Sequence, residues 1–279
     1  MKLYSIPTGT LKLDGGSMFG VVPKTLWSSA YPADENNLCT WAMRCLLVDT
    51  GNRKVLIDNG IGDHHDEKFR SLYGLNGEDS VGKSLATHGL SPDDITDVIL
   101  THLHFDHCGG SVKFNDDRSR LIPAFPGATY WVSKTQWDNA SHPNQREKAS
   151  FLKKTFTPVL ETNQLAFIEE EGELFPGITV RIFDGHTQGQ VIPFIRYKNT
   201  TVVFVADLIP SSAHIPLSWM LSFDMQPMVT LMEKEDFLNE AADNQYVLFL
   251  EHDLYHECCT VQRTEKGVRL KETFEFQFI

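Results

Sequence analysis

Short apolar runs, each bounded by polar turn residues, recur along the whole chain. Each run has the length of a buried strand rather than of a helix, which predicts a strand at each position. Three of these runs fall in the first half and three in the second half. The predicted strands are Cys45–Asp49, Val55–Asp58, Asp97–Thr101, Ile178–Phe183, Thr201–Val205 and Tyr246–Leu250. Several of them end on a polar or ionisable residue.

Helical stretches lie between these strands, so the pattern predicts a mixed α/β fold. Lys83–Gly89 is typical of a helix that ends at its glycine, and Ser91–Asp94 is typical of a cap and a first turn. The charged stretch 143–158 has a helical pattern and is interpreted as a surface or lid insertion, with a solvated helix face as the alternative. No low-complexity segment or long linker interrupts the chain, which predicts one domain over residues 1–279.

The segment Thr101–Gly110 places three histidines and an aspartate within six positions, directly after a predicted buried strand. Histidines two residues apart point to the same side of an extended segment, so His102 and His104 are able to bind one cation. Asp106 and His107 lie at the following turn and face another direction. This spacing indicates two metal ions rather than one. Gly109 and Gly110 then permit a close approach of backbone.

This segment resembles the HxHxDH signature of the metallo-β-lactamase superfamily, and four further elements of that family follow the expected order. Asp58 ends an early strand, and His186 stands in a Gly-His-Thr context. Asp207 ends a late apolar strand, and His252 follows another. The resemblance covers nearly the whole chain. It implies a four-layer αββα sandwich with the site along one edge, between two sheets.

The resemblance also implies a ligand set for two ions. His102, His104 and His186 are expected on the first ion, and Asp106, His107 and His252 on the second. Asp207 is expected to bridge both ions together with a water or hydroxide. Five imidazoles and two carboxylates suit zinc, with manganese and iron as alternatives. Asp58 is interpreted as a carboxylate that orients a ligand, against the alternative of a simple turn residue.

Two cations that share a water lower its pKa toward about 7, which predicts a hydrolase that uses a bridging hydroxide. Asp106, Asp207 and His214 are the candidate catalytic residues. His214, which lies shortly after Asp207, is a candidate for protonating a leaving group or contacting substrate, with packing as the alternative. His64 and His65 are left out of the metal set because adjacent side chains point apart.

The layout resembles the branch of the family that contains quorum-quenching lactonases and methyl parathion hydrolase. Many of those lactonases carry a tyrosine three residues after the bridging aspartate, where this chain has Pro210. The expected substrate is therefore a small ester, lactone or organophosphate. An N-acyl homoserine lactonase proper and a glyoxalase-II-like thioesterase are the alternatives, and a non-catalytic metal-binding protein would need a missing ligand.

Composition restricts the partners. The formal net charge of −12 disfavours a nucleic-acid substrate, since phosphate backbones require a basic surface. No apolar run approaches the roughly 20 residues that span a bilayer, and the N-terminal residues lack the apolar core of a signal peptide. Five cysteines without a paired framework favour a reducing cytoplasm. The expected partner is a small-molecule substrate, and a homodimer is left open.

Overall fold

The computed structural model describes residues 1–75 and 79–279, and they divide into two compact units. The first unit comprises Met1–Leu11 and Met43–Glu170, and the second comprises Lys12–Ala42 and Glu171–Ile279. Strands and helices alternate in both, which confirms the mixed α/β prediction. The expectation of a single domain over 1–279 stays a prediction. Among the residues described, no helix is both long and apolar enough to cross a bilayer.

The strands are β1 Lys2–Asp14, β2 Leu38–Asp49, β3 Lys54–Ile57, β4 Asp97–Ile99, β5 Val112–Phe114, β6 Leu121–Pro123, β7 Thr129–Ser133, β8 Leu165–Ile168, β9 Gly172–Phe175, β10 Ile178–Phe183, β11 Gln190–Tyr197, β12 Thr200–Phe204, β13 Val247–Phe249, β14 Cys258–Thr264 and β15 Gly267–Phe274. The α-helices are α1 Gly15–Phe19, α2 Lys24–Ala30, α3 Glu67–Leu72, α4 Val81–Thr87, α5 Phe105–Cys108, α6 Lys134–Ser141, α7 Thr157–Glu161 and α8 Pro227–Asn244. Short 3₁₀ turns cover Pro92–Asp94, Gly109–Ser111, Lys153–Thr155, Ala206–Leu208, Ser212–His214 and Phe276–Phe278.

A six-stranded sheet has the strand order β1-β2-β3-β4-β7-β8, and its strands β3, β4, β7 and β8 lie in the first unit. Strands β3, β4, β7 and β8 run parallel, so their carboxyl ends share one edge. Apolar residues from the predicted strands form the core here, with Leu47, Leu56 and Val98 essentially inaccessible to solvent, and Tyr130 of the unpredicted strand β7 joins them. The sheet therefore carries the residues that follow β3 and β4 to its edge.

The second unit contains a seven-stranded sheet with the order β15-β14-β13-β12-β11-β10-β9. Its neighbours are antiparallel except for β12 and β13, which are parallel. Val202, Phe204 and Leu248 are fully buried in it. Because β12 and β13 are parallel, the turns that follow them start at the same edge. Those turns contain Asp207 and His252.

Five of the six predicted strands agree with the structure within two residues at each end, whereas the predicted Cys45–Asp49 is only the last part of β2, which begins at Leu38. The predicted Lys83–Gly89 helix is α4, which begins two residues earlier because the Ser80 side chain accepts a hydrogen bond from Lys83 N at its first turn. It ends before Gly89, which has a positive φ of 72°. Ser91 does cap a turn, but that turn is 3₁₀ rather than α-helical.

The stretch 143–158 differs from its prediction. It forms turns, a 3₁₀ turn and only the start of α7, rather than a helix. Glu147, Phe151, Thr155 and Phe156 are buried, and Phe105 N donates a hydrogen bond to Ser150 O at 3.0 Å. A lid or surface insertion would leave these side chains exposed. This stretch instead packs against the segment that carries the first three histidines.

Candidate metal centre

The first cluster of candidate ligands comprises His102, His104, Asp106 and His107, in the first unit. Strand β4 ends at Ile99, and the chain then passes through an extended segment into the single turn of α5. The His102 ring lies 4.5 Å from the His104 ring and 3.9 Å from the His107 ring, between centroids. All three imidazoles are buried, whereas Asp106 is partly exposed. The strand end thus gathers these side chains in one place.

Close backbone packing holds the end of this loop. A Cβ atom on Gly109 would lie 2.2 Å from Ile61 O, and one on Gly110 would lie 2.1 Å from Asn59 O. Real Cβ atoms do not approach backbone oxygens so closely, so a side chain at either position would displace the loop. The expectation that Gly109 and Gly110 permit close backbone approach is confirmed.

Asp58, directly after β3, fixes the same loop from the other side. Its Oδ1 accepts a hydrogen bond from Thr101 N at 2.8 Å, and its Oδ2 accepts one from Thr101 Oγ1 at 2.7 Å. Oδ2 also lies 3.1 Å from His107 Nδ1. Because a hydroxyl has one proton and Thr101 gives it to Asp58, Thr101 Oγ1 accepts from His102 Nδ1 at 3.0 Å. Asp58 therefore sets the orientation of two imidazoles, as a carboxylate that orients ligands would.

The second cluster comprises His186, Asp207 and His252, in the second unit. Asp207 Oδ2 lies 3.2 Å from His186 Nε2, and Asp207 Oδ1 lies 3.2 Å from His252 Nε2. All three side chains are buried. One carboxylate thus stands between two imidazoles and offers a different oxygen to each. This is the arrangement that a bridging ligand requires.

Hydrogen bonds to the other ring nitrogens show which atoms face Asp207. His252 Nδ1 lies 2.8 Å from Ala42 O, a carbonyl that only accepts, so Nδ1 carries the proton. His186 Nδ1 lies 2.9 Å from Asp224 Oδ1, and an ionised Asp224 likewise only accepts. In neutral imidazoles, both Nε2 atoms then direct a lone pair at a carboxylate oxygen. Two acceptors at 3.2 Å repel each other unless a positive charge lies between them.

The same distance fits a shared metal ion. Zinc binds imidazole nitrogen and carboxylate oxygen at about 2.0–2.2 Å in tetrahedral geometry, which places two ligand atoms of one ion roughly 3.4 Å apart. The donor set and the direction of its lone pairs therefore fit divalent metal ions. The first cluster has the same character, because Asp58 and Thr101 hold the Nδ1 atoms of His107 and His102.

Two supporting residues were missed from the sequence. Asp224 holds His186, and Glu147 Oε1 lies 3.1 Å from His104 Nε2. Both carboxylates are buried, Asp224 with 2% and Glu147 with 1% of its surface exposed. They lie 38 and 43 residues from their partners along the chain, without any local motif. No signal in the sequence pointed to either.

His214 lies in an aromatic part of the second unit rather than beside an open surface. Its ring stacks on Phe19 at 4.7 Å, with 2° between the planes. Its Nε2 donates to Met18 O at 2.8 Å, and its Nδ1 accepts from Ser211 Oγ at 2.7 Å. Both nitrogens are thus used by neighbouring groups, and 1% of the residue is exposed. These contacts favour the packing interpretation of His214 over a role in proton transfer.

Burial lowers the pKa of His214 to about 3, against about 6.5 in an unfolded chain. Its full contribution to stability is therefore present above pH 6.5 and is lost as the pH falls toward 3, because the unfolded chain binds the proton first. We expect wild type to lose about 2 kcal/mol more unfolding free energy than His214→Gln between pH 7.5 and pH 5. Urea unfolding at the two pH values measures this difference. Equal losses would show that His214 is protonated in the folded protein.

Comparison with known proteins assigns the family. The profile of the metallo-β-lactamase superfamily matches residues 44–252, which is most of the chain. The chain is a member of the metallo-β-lactamase superfamily. This membership confirms the resemblance and the fold that it implied. The prediction of an enzyme of the metal-dependent hydrolase type is also confirmed at the level of the family.

Several proteins similar to this superfamily member are described as hydrolases. The N-acyl homoserine lactonase AiiA of Bacillus thuringiensis subsp. kurstaki is 27% identical over 214 residues, which cover 73% of this chain and 74% of AiiA. A probable metal-dependent hydrolase from Staphylococcus aureus has a TM-score of 0.88 and 30% identity over 98% of both chains. AidC, a dizinc quorum-quenching lactonase solved with a product, has a TM-score of 0.78 and 24% identity over 98% of this chain and 94% of AidC. The last of these shows the fold alone.

Proposed function

We propose that this protein is a dinuclear metal-dependent hydrolase of small esters, lactones or organophosphate-type substrates. The observation that carries the proposal is Asp207, whose two oxygens each face the Nε2 atom of a different histidine. A carboxylate with two such partners is suited to binding two ions, one through each oxygen. A single ion would need only one of these two contacts. Family membership supports the same conclusion.

In this proposal the ligands follow the family pattern. His102, His104 and His186 would bind one ion, Asp106, His107 and His252 would bind the other, and Asp207 would bind both. Imidazole and carboxylate donors without thiolate favour Zn²⁺, with Mn²⁺ and Fe²⁺ as alternatives. Asp58 and Asp224 keep the imidazoles His107 and His186 aligned by accepting their Nδ1 protons.

When bound, two divalent ions would supply hydroxide at neutral pH and would polarise the oxygen of a carbonyl or phosphoryl group. The chain contributes a fixed arrangement of ligands and a buried environment in which the charge interactions are strong. Asp106 is the site carboxylate that remains partly exposed, with 14% of its side chain accessible. It is therefore the side chain in the first cluster best placed to meet substrate or solvent, and the candidate for moving a proton there.

Metal content tests the proposal. Protein purified without chelator and reconstituted with Zn²⁺ is expected to contain about two ions per chain, because the seven donors fill two coordination shells with one shared carboxylate. Elemental analysis against protein concentration measures the ratio. A ratio that remains near one after reconstitution, with full activity, would remove the bridging role of Asp207.

Pro210 supports the proposed preference among these substrates. The residue at this position supplies a backbone oxygen that accepts from His252 N at 3.1 Å, and proline has no hydroxyl to offer a substrate. Many lactonases of the resembling branch have a tyrosine here. Leaving groups that need no proton should then be favoured, which points to aryl esters and aryl phosphotriesters over alkyl lactones.

We expect a steep decrease of rate as the leaving-group pKa rises across a series of aryl and alkyl esters, with detectable but slower lactone hydrolysis. The physical reason is that a phenolate leaves as a stabilised anion, whereas an alkoxide needs a proton donor. The kcat/KM values of the Zn²⁺-loaded enzyme across the series measure the slope. A flat series, with lactones as fast as activated aryl esters, would show that another acid replaces the tyrosine.

The second candidate is an N-acyl homoserine lactonase proper. The identity of 27% with AiiA over about three quarters of both chains favours it. The two candidates differ in one comparison: the ratio of kcat/KM for an N-acyl homoserine lactone to that for an activated aryl ester. A small-molecule substrate is common to both.

A further inference from the structure

The stretch 143–155 contacts the loop of the first cluster at three successive places. Glu147 meets His104, Ser150 O accepts a hydrogen bond from Phe105 N, and Thr155 Oγ1 lies 3.4 Å from Cys108 Sγ. Glu147 and Thr155 are buried, with 1% and 0% of their surfaces exposed. A buried carboxylate is costly unless its oxygens receive hydrogen bonds. The buried Glu147 is therefore expected to hold a partner side chain in place.

Glu147 is held on both of its oxygens. Its Oε2 accepts from Asn139 Nδ2 at 3.1 Å and from Asn144 Nδ2 at 3.2 Å. Its Oε1 is thereby directed at His104 Nε2, at 3.1 Å. Amide N–H groups only donate, so Glu147 is an acceptor on the Asn139 and Asn144 side, and an ionised Glu147 accepts from His104 Nε2 as well. With the proton on Nε2, the lone pair of the neutral His104 ring resides on Nδ1.

His104 is held at Nε2, whereas each of the other four histidines among the proposed ligands is held at Nδ1. Their partners are Thr101 Oγ1 for His102, Asp58 Oδ2 for His107, Asp224 Oδ1 for His186 and Ala42 O for His252. Nδ1 lies one atom nearer the backbone than Nε2. The ring nitrogen that carries the lone pair is thus closer to the main chain in His104 than in His102. Two histidines only two residues apart then offer metal-binding nitrogens at different distances from the backbone.

We propose that Glu147 is a positioning residue that sets the tautomer of His104, so that His104 binds its ion through Nδ1. Asn139 and Asn144 fix the carboxylate in the orientation that does this. The inference rests on the proposed function, since it assigns a role toward the proposed metal ions. It also gives the stretch 143–155 a role as the support of the metal-binding loop rather than as a lid.

The test is the isosteric change Glu147→Gln. The glutamine carbonyl is the only part of the new side chain able to accept from Asn139 and Asn144, so its NH₂ group turns toward His104. His104 Nε2 must then accept, and the ring proton moves to Nδ1, where it blocks metal binding. Glu161→Gln, an exposed glutamate on α7, is the matched control.

Three measurements on the full chain decide the matter. Chelator competition with Zn²⁺ is expected to show about 10- to 100-fold weaker binding of one ion in Glu147→Gln, and wild-type binding in Glu161→Gln. Long-range ¹H–¹⁵N NMR of the Zn²⁺-loaded wild type is expected to show His104 with the proton on Nε2. Thermal unfolding in chelator compares the folding of the variants.

The outcomes separate the two levels of the proposal. A wild-type chain that binds no Zn²⁺ would overturn the proposed function itself. A wild type that binds two ions, together with Glu147→Gln that binds both equally well, would overturn the inference alone. Should Glu147→Gln fail to fold, Asn139→Ala is the second variant. A smaller loss of Zn²⁺ affinity there supports the role of Glu147, and wild-type affinity contradicts it.

Discussion

Replacing Asp207 with alanine is expected to lower kcat/KM for an aryl ester at least about a thousandfold. Removal of a single group that stabilises the transition state already costs 10²–10³-fold in enzymes, on the order of 3–4 kcal/mol, and Asp207 is proposed to serve two ions at once. Its two oxygens face His186 and His252 at the same distance of 3.2 Å. In the proposed site, loss of the carboxylate would leave two cations without their shared anion and free to separate.

Kinetics with Zn²⁺ in excess measure this effect, and metal analysis of the same samples records how many ions remain. Asp236→Ala, an exposed position on α8, is the control for loss of a negative charge in the second unit. His102→Ala is expected to lose activity on the same scale through the first ion. Near-normal turnover in either Asp207→Ala or His102→Ala would rule out the proposed chemistry.

Replacing Asp58 with alanine is expected to destabilise the protein by about 3 kcal/mol, even with a chelator present. The buried Thr101 N–H would lose its acceptor, which costs roughly 1–3 kcal/mol. Asp58 also has a positive φ of 55°, a conformation that costs alanine roughly 1 kcal/mol more than residues with short polar side chains. The Nδ1 proton of His107 loses its partner as well, so metal binding should weaken in addition.

Urea unfolding with and without Zn²⁺ separates the two effects. Asp58→Asn tolerates the positive φ and keeps an oxygen for Thr101 N, so it removes only the charge and the acceptor that faces Thr101 Oγ1 and His107 Nδ1. Asp63→Ala, at an exposed position five residues further on, is expected to unfold as wild type. An Asp58→Ala protein as stable as wild type would mean that Asp58 is a turn residue without a supporting role.

Local pattern predicted six of the fifteen strands that the structure describes, because burial of a strand leaves a continuous apolar run in the sequence. Strand β10 agrees with its prediction at both ends, and β12 and β13 agree within a residue. The candidate ligands could also be identified from the sequence, since His102, His104 and Asp106 form one short motif. Their roles as metal ligands stay predictions.

The supporting carboxylates could not be predicted, for a physical reason. A charged residue within Gln145–Lys148 is typical of a solvated surface, and the sequence does not show that Asn139 and Asn144 stabilise Glu147 in the interior. Asp224 could not be predicted either, because its contact with His186 depends on the path of the chain between β12 and α8. Such contacts between distant residues are fixed by tertiary packing, which leaves no period in the sequence.

The two clusters differ in how far apart their residues lie along the chain, and this difference bears on how the protein folds. The first cluster lies within six consecutive residues, whereas His186, Asp207 and His252 are 21 and 45 residues apart. Bringing together distant residues requires closing long loops, which is slow and entropically unfavourable. In the proposed site, the ligands of the His102–His107 segment would therefore be near one another in the chain before the second cluster exists. Asp207 gains both of its histidine neighbours only after β10, β12 and β13 have assembled, so completion of the proposed site would follow the late steps of folding.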